Sequence, residues 1–111
     1  MKEVKIKVTA DNYRKEVLES SLPVLVEFYA RWCSKCAMLE DMIEEIAQKY
    51  DGVFQVCQIE IDESSNLAKE FNVGIVPTFV VFRNGKAVAA ASGILNRETL
   101  IKMMFEKNGY N

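Results

Sequence analysis

The sequence predicts a single α/β domain with a central β-sheet, and three observations support this prediction. Apolar residues recur first at the period of a strand and then at that of a helix, and the alternation repeats in the order β-α-β-α-β-α-β-β-α. Residues 24–30 are almost continuously apolar, which is typical of a strand covered on both faces. Asn84-Gly85 favours a tight hairpin between the last two strands. Because 111 residues can bury one core, we predict one domain over residues 1–111.

The first strand and the first helix precede the apolar run. Val4, Ile6 and Val8 alternate with polar residues, which predicts a half-buried strand at an edge of the sheet. Residues 11–20 place their apolar side chains on one helical face, which predicts a first helix. Pro23 opens the next strand, where a missing N–H need not interrupt the ladder of hydrogen bonds.

The second helix carries the clearest periodic signal. After Cys33 the apolar residues fall at the spacing of one helical face. These residues are Leu39, Met42, Ile43, Ile46, Ala47 and Tyr50. Asp51-Gly52 ends the helix, since glycine readily adopts the left-handed conformation of a helix C-cap.

The next strand is predicted over residues 53–61 and a short helix over 64–71. Asp62 and Ser64 are both candidates for the N-cap of this helix. Either side chain would accept a hydrogen bond from a backbone N–H that the first helical turn leaves unpaired.

The C-terminal part is predicted to form the hairpin and a last helix. Residues 76–83 and 86–91 are the two strands joined by Asn84-Gly85. Asn96 is the expected N-cap of the last helix, with Glu98 placed where a negative charge favours the first turn.

Charge and hydropathy exclude two classes of partner. The chain has 14 Lys and Arg against 16 Asp and Glu, which argues against nucleic acid as the main partner. Its apolar stretches are far shorter than the roughly 20 residues that cross a bilayer. The first residues alternate instead of forming the apolar core of a signal peptide. We therefore expect no membrane partner and a cytoplasmic location.

The chemistry is predicted to reside in Cys33-Ser34-Lys35-Cys36, where a buried strand ends and a helix begins. Thiol–disulfide exchange needs one thiolate to attack and a second thiol to resolve the mixed disulfide. The helix N-terminus stabilises a thiolate through its unpaired N–H groups and its partial positive charge. Cys33 receives more of that field and is predicted to attack, whereas Cys36, expected to be more buried, resolves. Lys35 and Arg31 add cations that favour the Cys33 thiolate.

Three other interpretations of the cysteine pair remain open. A zinc site would need two more ligands, and the chain has no His and only Cys57 besides the pair. An iron–sulfur cluster could be shared between two chains, or the pair could be structural. Redox catalysis without a metal or other cofactor is the favoured interpretation. Cys57 lies in a strand at the parity of Ile59 and Ile61, which predicts a buried small apolar residue instead of a regulatory thiol.

Three segments at residues 25–36, 73–79 and 82–86 resemble the thioredoxin family: its active-site region, its cis-proline loop and its final hairpin. The similarity runs in order from about residue 10 to residue 105. This resemblance implies the thioredoxin fold, with a five-stranded mixed sheet flanked by four α-helices. It also implies a protein-disulfide reductase that is recharged by a thioredoxin reductase, takes disulfide-containing protein substrates, and is expected to be a monomer.

The resemblance further implies a set of site residues. Pro77 would be cis and lie against the cysteine pair, where the backbone of Val76 can hydrogen-bond an extended substrate. Glu27 stands where the family usually has a buried Asp that exchanges protons with the resolving cysteine, and burial should raise the pKa of its carboxyl. An apolar, small-residue surface would accept the substrate. It consists of Trp32, Ile75, Val76, Gly93 and Ile94.

The sequence departs from the family pattern at several positions. Ser34-Lys35 replaces the common Gly-Pro, so the turn should be less rigid. Lys35 and Arg31 favour the charged sulfur of Cys33 and so stabilise the reduced form, which predicts a weaker reductant. Gln58 stands where Lys is frequent, so Glu27 is expected to lack a direct charge partner. Asp41 replaces a helix-kinking Pro, which predicts a straighter second helix. The alternative function is a redox-inactive thioredoxin-fold interaction module or a cluster-binding electron-transfer protein.

Overall fold

A mixed β-sheet forms the centre of the molecule, as seen in a computed structural model that describes residues 4–106. Within this range five strands lie in the order β1-β3-β2-β4-β5. The strands are β1 (Lys5–Lys7), β2 (Val24–Tyr29), β3 (Gln55–Glu60), β4 (Thr78–Arg83) and β5 (Lys86–Ser92). β1, β3 and β2 run parallel, whereas β4 is antiparallel to both β2 and β5. The five-stranded mixed sheet is confirmed, with β1 at the predicted edge and β2 in the middle.

Four helical segments flank the sheet in the described part of the chain, which confirms the predicted order of elements. They are a π-helical segment (Arg14–Leu18), α1 (Ser34–Lys49), α2 (Ser65–Glu70) and α3 (Arg97–Phe105). The first of them is shorter than the predicted residues 11–20 and differs from an α-helix in its hydrogen bonding, since the N–H of Glu19 bonds to the carbonyl oxygen of Arg14. None of the helices within residues 4–106 is long and apolar enough to cross a membrane.

The core is divided by the sheet into two apolar clusters. Leu25 belongs to the cluster beneath α1 and α3, whereas Val24, Val26 and Phe28 belong to the cluster beneath the π-helical segment and α2. This alternation follows from the twofold period of a strand. Glu27 therefore shares the face of Leu25, the side of the sheet on which α1 packs. Cys57 lies in the opposite cluster with no exposed surface, which confirms its predicted burial.

The turn and one of the two proposed caps are confirmed. Asn84 and Gly85 adopt φ angles of 52° and 79°, as a hairpin turn with two left-handed residues requires. The side chain of Asn96 accepts a hydrogen bond of 2.8 Å from the N–H of Thr99 and so caps α3. Ser64 occupies the N-cap position of α2, but its side chain makes no capping hydrogen bond, so that prediction holds for the position alone.

Candidate active site

The two cysteines meet at the junction that the sequence predicts. β2 ends at Tyr29 and α1 begins at Ser34, so Cys33 is the N-cap residue of α1. Cys33 and Cys36 form a disulfide bond, and the Sγ of Cys33 accepts a 3.1 Å hydrogen bond from the N–H of Cys36. The exposed fractions of Cys33 and Cys36 are 7% and 5%, so the predicted difference in burial is small in this oxidised state. A helix N-terminus thus directs an N–H group at the sulfur of Cys33.

The loop before β4 packs against the disulfide. The Val76–Pro77 peptide bond is cis, as the resemblance implied. The carbonyl oxygen of Val76 lies 3.7 Å from the Sγ of Cys33. The Thr78 hydroxyl donates to the carbonyl of Ile75 at 2.6 Å, and the N–H of Gly93 donates to the carbonyl of Pro77 at 2.8 Å. These bonds hold the loop beside the cysteine pair.

Three large apolar side chains of the predicted substrate surface are exposed. Trp32, Ile75 and Ile94 have exposed fractions of 68%, 63% and 52%, while Val76 and Gly93 are partly buried. A shallow cleft of about 260 Å³ is lined by Trp32, Ser34, Lys35, Cys33 and Val76. Exposed apolar side chains beside a reactive group are the usual appearance of a protein-binding surface.

The two cations that flank the cysteines have different surroundings. The Arg31 guanidinium forms an ion pair with Glu63 at 2.5 Å, and Lys7 pairs with the same carboxylate at 2.9 Å. Lys35 is exposed and lines the cleft with Cys33. Glu63 therefore offsets part of the charge of Arg31.

Two acidic residues organise the segment before Cys33. Glu60 was not singled out by the sequence analysis, and Asp62 was considered there only as a candidate N-cap. Glu60 is buried, and its carboxylate accepts hydrogen bonds from the backbone N–H groups of Arg31, Asp62 and Glu63 at 3.3, 3.0 and 2.8 Å. Asp62 accepts a 2.9 Å bond from the indole N–H of Trp32. The loop after β3 is thus tied to the end of β2, which satisfies the buried Glu60 carboxylate. The hydrophobic pattern gives no signal for the bonds from Arg31 and Trp32, because these join residues 29 and 30 positions apart.

Glu27 is buried on the central strand, with 1% of its surface exposed. Its cross-strand neighbour Gln58 donates a 2.7 Å hydrogen bond to its carboxylate. Burial raises the pKa of Glu27 from 4.5 to about 7, a rise that Glu40 increases and that Gln58 and Lys5 reduce. The hydrogen-bond partner of Glu27 on β3 is therefore a neutral amide and not the charged group that is frequent there in the family. A carboxyl with a pKa near 7 can both accept and release a proton at neutral pH.

A second cleft, of about 350 Å³, opens beside the disulfide. It is lined by Cys33, Cys36, Tyr29, Ala30, Arg31, Ala37 and Glu40. Glu40 lies four residues after Cys36, one turn farther along the same face of α1. Within residues 4–106 no group of three or more His, Cys, Asp or Glu side chains is arranged to hold a metal ion.

Comparisons with known proteins agree with this geometry. The thioredoxin family model matches residues 4–106. The chain is 39% identical over 94 residues to the thioredoxin of Rickettsia felis, an alignment that covers 85% of this chain and 90% of the relative. It is 37% identical over 93 residues to thioredoxin 1 of Nostoc sp., covering 84% and 87%. The chloroplastic M-type thioredoxin of Chlamydomonas reinhardtii is 36% identical over 95 residues, covering 86% and 68%.

Proposed function

This chain belongs to the thioredoxin family and is a thiol–disulfide oxidoreductase, and we propose that it reduces protein disulfides with Cys33 as nucleophile and Cys36 as resolving thiol. The observation that carries this proposal is the position of Cys33 at the N-cap of α1, where its sulfur accepts the N–H of Cys36. The same hydrogen bond stabilises a thiolate when the pair is reduced.

The reaction proceeds in two exchanges. The Cys33 thiolate attacks one sulfur of the substrate disulfide, that S–S bond breaks, and the other substrate sulfur leaves as a thiolate. Cys36 then loses its proton, and its thiolate attacks the Sγ of Cys33 in the mixed disulfide. The Cys33–Cys36 bond forms as the second substrate sulfur leaves. The substrate gains two electrons and the cysteine pair loses two.

Glu27 is proposed to accept the proton that Cys36 loses in the second exchange. Its pKa of about 7, raised chiefly by burial, leaves a large fraction ionised and able to accept a proton at neutral pH. The experiment is the rate of mixed-disulfide resolution in Glu27→Gln. We expect that rate to fall and to lose its dependence on pH near neutrality. An unchanged profile would remove Glu27 from the proton transfer.

The substrate is proposed to lie across Trp32, Ile75, Val76, Gly93 and Ile94, with Pro77 fixing the direction of the loop. The backbone of Val76 would pair with an extended substrate segment, because its carbonyl oxygen lies 3.7 Å from the Sγ of Cys33. A substrate strand at that edge would bring its own sulfur close to Cys33.

The family implies disulfide-containing substrates and a thioredoxin reductase as partners. We propose that such a reductase returns two electrons to the Cys33–Cys36 disulfide. We further propose that the protein acts in the cytoplasm as a monomer, with no metal or other cofactor.

The central experiment is the reduction of insulin by dithiothreitol in the presence of this protein. We expect acceleration by the intact chain, and its loss in Cys33→Ser. Cys57→Ala is the matched control, since it removes a cysteine outside the pair and should keep the activity. No acceleration by the intact chain would favour a redox-inactive interaction module. Visible absorbance after anaerobic reconstitution would instead favour a cluster protein.

Lys35 is proposed to stabilise the thiolate of Cys33 and so to make the pair less reducing. Lys35→Gln removes the charge alone, whereas Lys35→Pro also fixes the backbone of the turn. We expect Cys33 to be alkylated more slowly at neutral pH in both variants. The potential measured against glutathione should become more reducing by on the order of 10 mV. Lys49→Gln, in the last turn of α1, is the control, and a more oxidising potential in Lys35→Gln would contradict the proposal.

A further inference from the structure

A continuous set of side-chain contacts leads from the buried Glu27 to the protein surface. The Gln58 amide nitrogen donates to the Glu27 carboxylate at 2.7 Å and to the Glu40 carboxylate at 3.3 Å. The other oxygen of Glu40 accepts a hydrogen bond from the Lys5 ammonium, which also pairs with Glu44 at 3.3 Å. The contacts therefore join β2, β3, α1 and β1 in one network.

The burial of these groups changes along the network. Glu27 has 1% of its surface exposed, whereas the side chain of Glu40 is 48% exposed and that of Lys5 is 12% exposed. Burial lowers the pKa of Lys5, but its bonds to Glu40 and Glu44 outweigh this and leave the pKa raised. Lys5 therefore remains charged at neutral pH and fixes Glu40 in place.

Two charged groups act on Glu27 from different elements. Glu40 on α1 raises the pKa of Glu27, and Lys5 on β1 lowers it, both as smaller effects beside burial. Its cross-strand neighbours are Gln58 on β3 and Phe79 on β4, neither of which carries a charge. The two charges of this surface ion pair thus act on the Glu27 carboxyl with opposite signs.

Glu40 also connects this network to the reacting sulfur atoms. It lines the cleft that contains Cys33 and Cys36, whereas Glu27 is buried in β2. The hydrogen bonds of Gln58 thus connect the buried carboxyl to one residue of that cleft, Glu40.

We infer that Glu40 and Lys5 are positioning residues for Glu27. The Gln58 amide joins the carboxylates of Glu27 and Glu40, so the Lys5–Glu40 ion pair controls the charge of Glu27. This inference rests on the proposed function of Glu27 as the proton acceptor for Cys36. Glu40 and Lys5 carry opposite charges, so removing each must move the protonation of Glu27 in an opposite direction. A purely structural role would give no such reversal of sign.

The experiment is a carbon-13 NMR titration of the Glu27 carboxyl in the oxidised protein, assigned by comparison with Glu27→Gln. Glu40→Gln keeps an oxygen that can accept from Gln58 but removes the charge, and should lower the titration midpoint. Lys5→Met should raise it. Each shift is expected to be on the order of half a pH unit, because the Glu40 side chain is partly exposed to solvent. The double variant should titrate between the two single variants.

The control variants each remove one charge of the same sign at another position. Glu45→Gln removes a carboxylate from α1 that pairs with Arg97, and Lys102→Met removes an exposed lysine from α3. Both should leave the midpoint of Glu27 unchanged. Shifts of equal size in the controls, shifts of the same sign in Glu40→Gln and Lys5→Met, or no shift would each overturn the inference.

The pH profile of mixed-disulfide resolution separates this inference from the proposed function. If the profile follows the NMR midpoint in every variant, both hold. If the midpoint moves in opposite directions while the profile stays constant, control by the ion pair stands and the proton-accepting role of Glu27 fails. If the midpoint does not move, the inference fails whatever the rates are.

Discussion

The buried carboxyl of Glu27 makes the stability of this protein depend on pH. Its pKa is raised from 4.5 to about 7, chiefly by burial, so between these values the folded state binds more protons than the unfolded state. The free energy of unfolding therefore has its full contribution from this group below pH 4.5 and loses it as the pH rises through 7. The difference in pKa corresponds to about 3 kcal/mol.

Glu27→Gln removes this dependence while keeping a side chain of the same shape. We expect the stability of the variant relative to the unchanged protein to increase by about 2–3 kcal/mol between pH 5 and pH 8. Urea unfolding of the two proteins measures this difference in stability. The oxidised forms are used because Cys33 and Cys36 do not titrate when they are joined. Glu45→Gln, at an exposed position of α1, should show no such change. A constant difference between Glu27→Gln and the unchanged protein would show that Glu27 titrates normally.

The sequence singled out the residues that we propose to react, but not the residues that surround them. Cys33 and Cys36 stand out as a motif where a strand ends and a helix begins, and Glu27 stands out as a charge within an apolar strand. The bond between Lys5 and Glu40 joins residues 35 positions apart and exists only because β1 pairs with β3 beneath α1. Local periodicity carries no information about such pairings, and the ion pair of Arg31 with Glu63 was missed for the same reason.

At the scale of the elements, the hairpin turn is fixed by contact with another segment. Gly85 has a φ of +79°, and a Cβ atom there would lie 2.8 Å from the carbonyl oxygen of Leu18, the last residue of the π-helical segment. Gly52 has a similar φ of +88°, but a Cβ there would meet nothing within 4 Å. Gly52→Ala should therefore cost only the backbone strain, about 1–2 kcal/mol.

Gly85→Ala adds a steric clash to the same backbone strain. We expect it to destabilise the protein by about 1–3 kcal/mol more than Gly52→Ala does. Urea unfolding of both variants at one pH measures the difference. Equal losses of stability would mean that the hairpin moves away from Leu18 at no cost.

The N-termini of α2 and α3 show why a cap residue in the sequence does not guarantee a cap. Asn96 and Ser64 are both favourable N-cap types, but only the Asn96 side chain accepts a backbone N–H. Asn96→Ala should cost about 1 kcal/mol in the free energy of unfolding. Ser64→Ala, the matched control, should cost less than about 0.5 kcal/mol. A loss at Ser64 as large as that at Asn96 would indicate a capping bond at α2 in solution.

At the scale of the whole molecule, the sheet makes the two apolar clusters dependent on each other. β2 contributes Leu25 to one cluster and Val26 to the other, and β4 does the same with Val81 and Val80. Because the same strands carry both clusters, the loss of packing in one cluster also exposes the residues of the other. The almost continuous apolar run of residues 24–30 predicted this arrangement, because a strand that is apolar on both faces must be covered twice. We therefore expect the domain to unfold as one unit.

Cys57 provides the measurement that tests this cooperativity. It has no exposed surface, and burial raises the pKa of its thiol to about 12. In the oxidised protein it is the single free thiol, since Cys33 and Cys36 are joined. Alkylation at pH 8 must then proceed through the unfolded state, at a rate at least about 10³-fold below that of the urea-unfolded chain. As a control for an accessible thiol, Val53→Cys in a Cys57→Ala background should react quickly, because Val53 is 49% exposed.

The variant Gly85→Ala tests whether the alkylation rate of Cys57 depends on a turn that is distant from it in sequence. If the domain unfolds as one unit, the variant should label faster by the factor that its loss of stability predicts, tenfold for each roughly 1.4 kcal/mol. The labelling rate and the urea-derived stability would then change together, although Cys57 lies in β3 and Gly85 in the turn between β4 and β5. Fast labelling of the unchanged protein, or a rate that ignores Gly85→Ala, would mean that β3 opens locally while the hairpin stays folded.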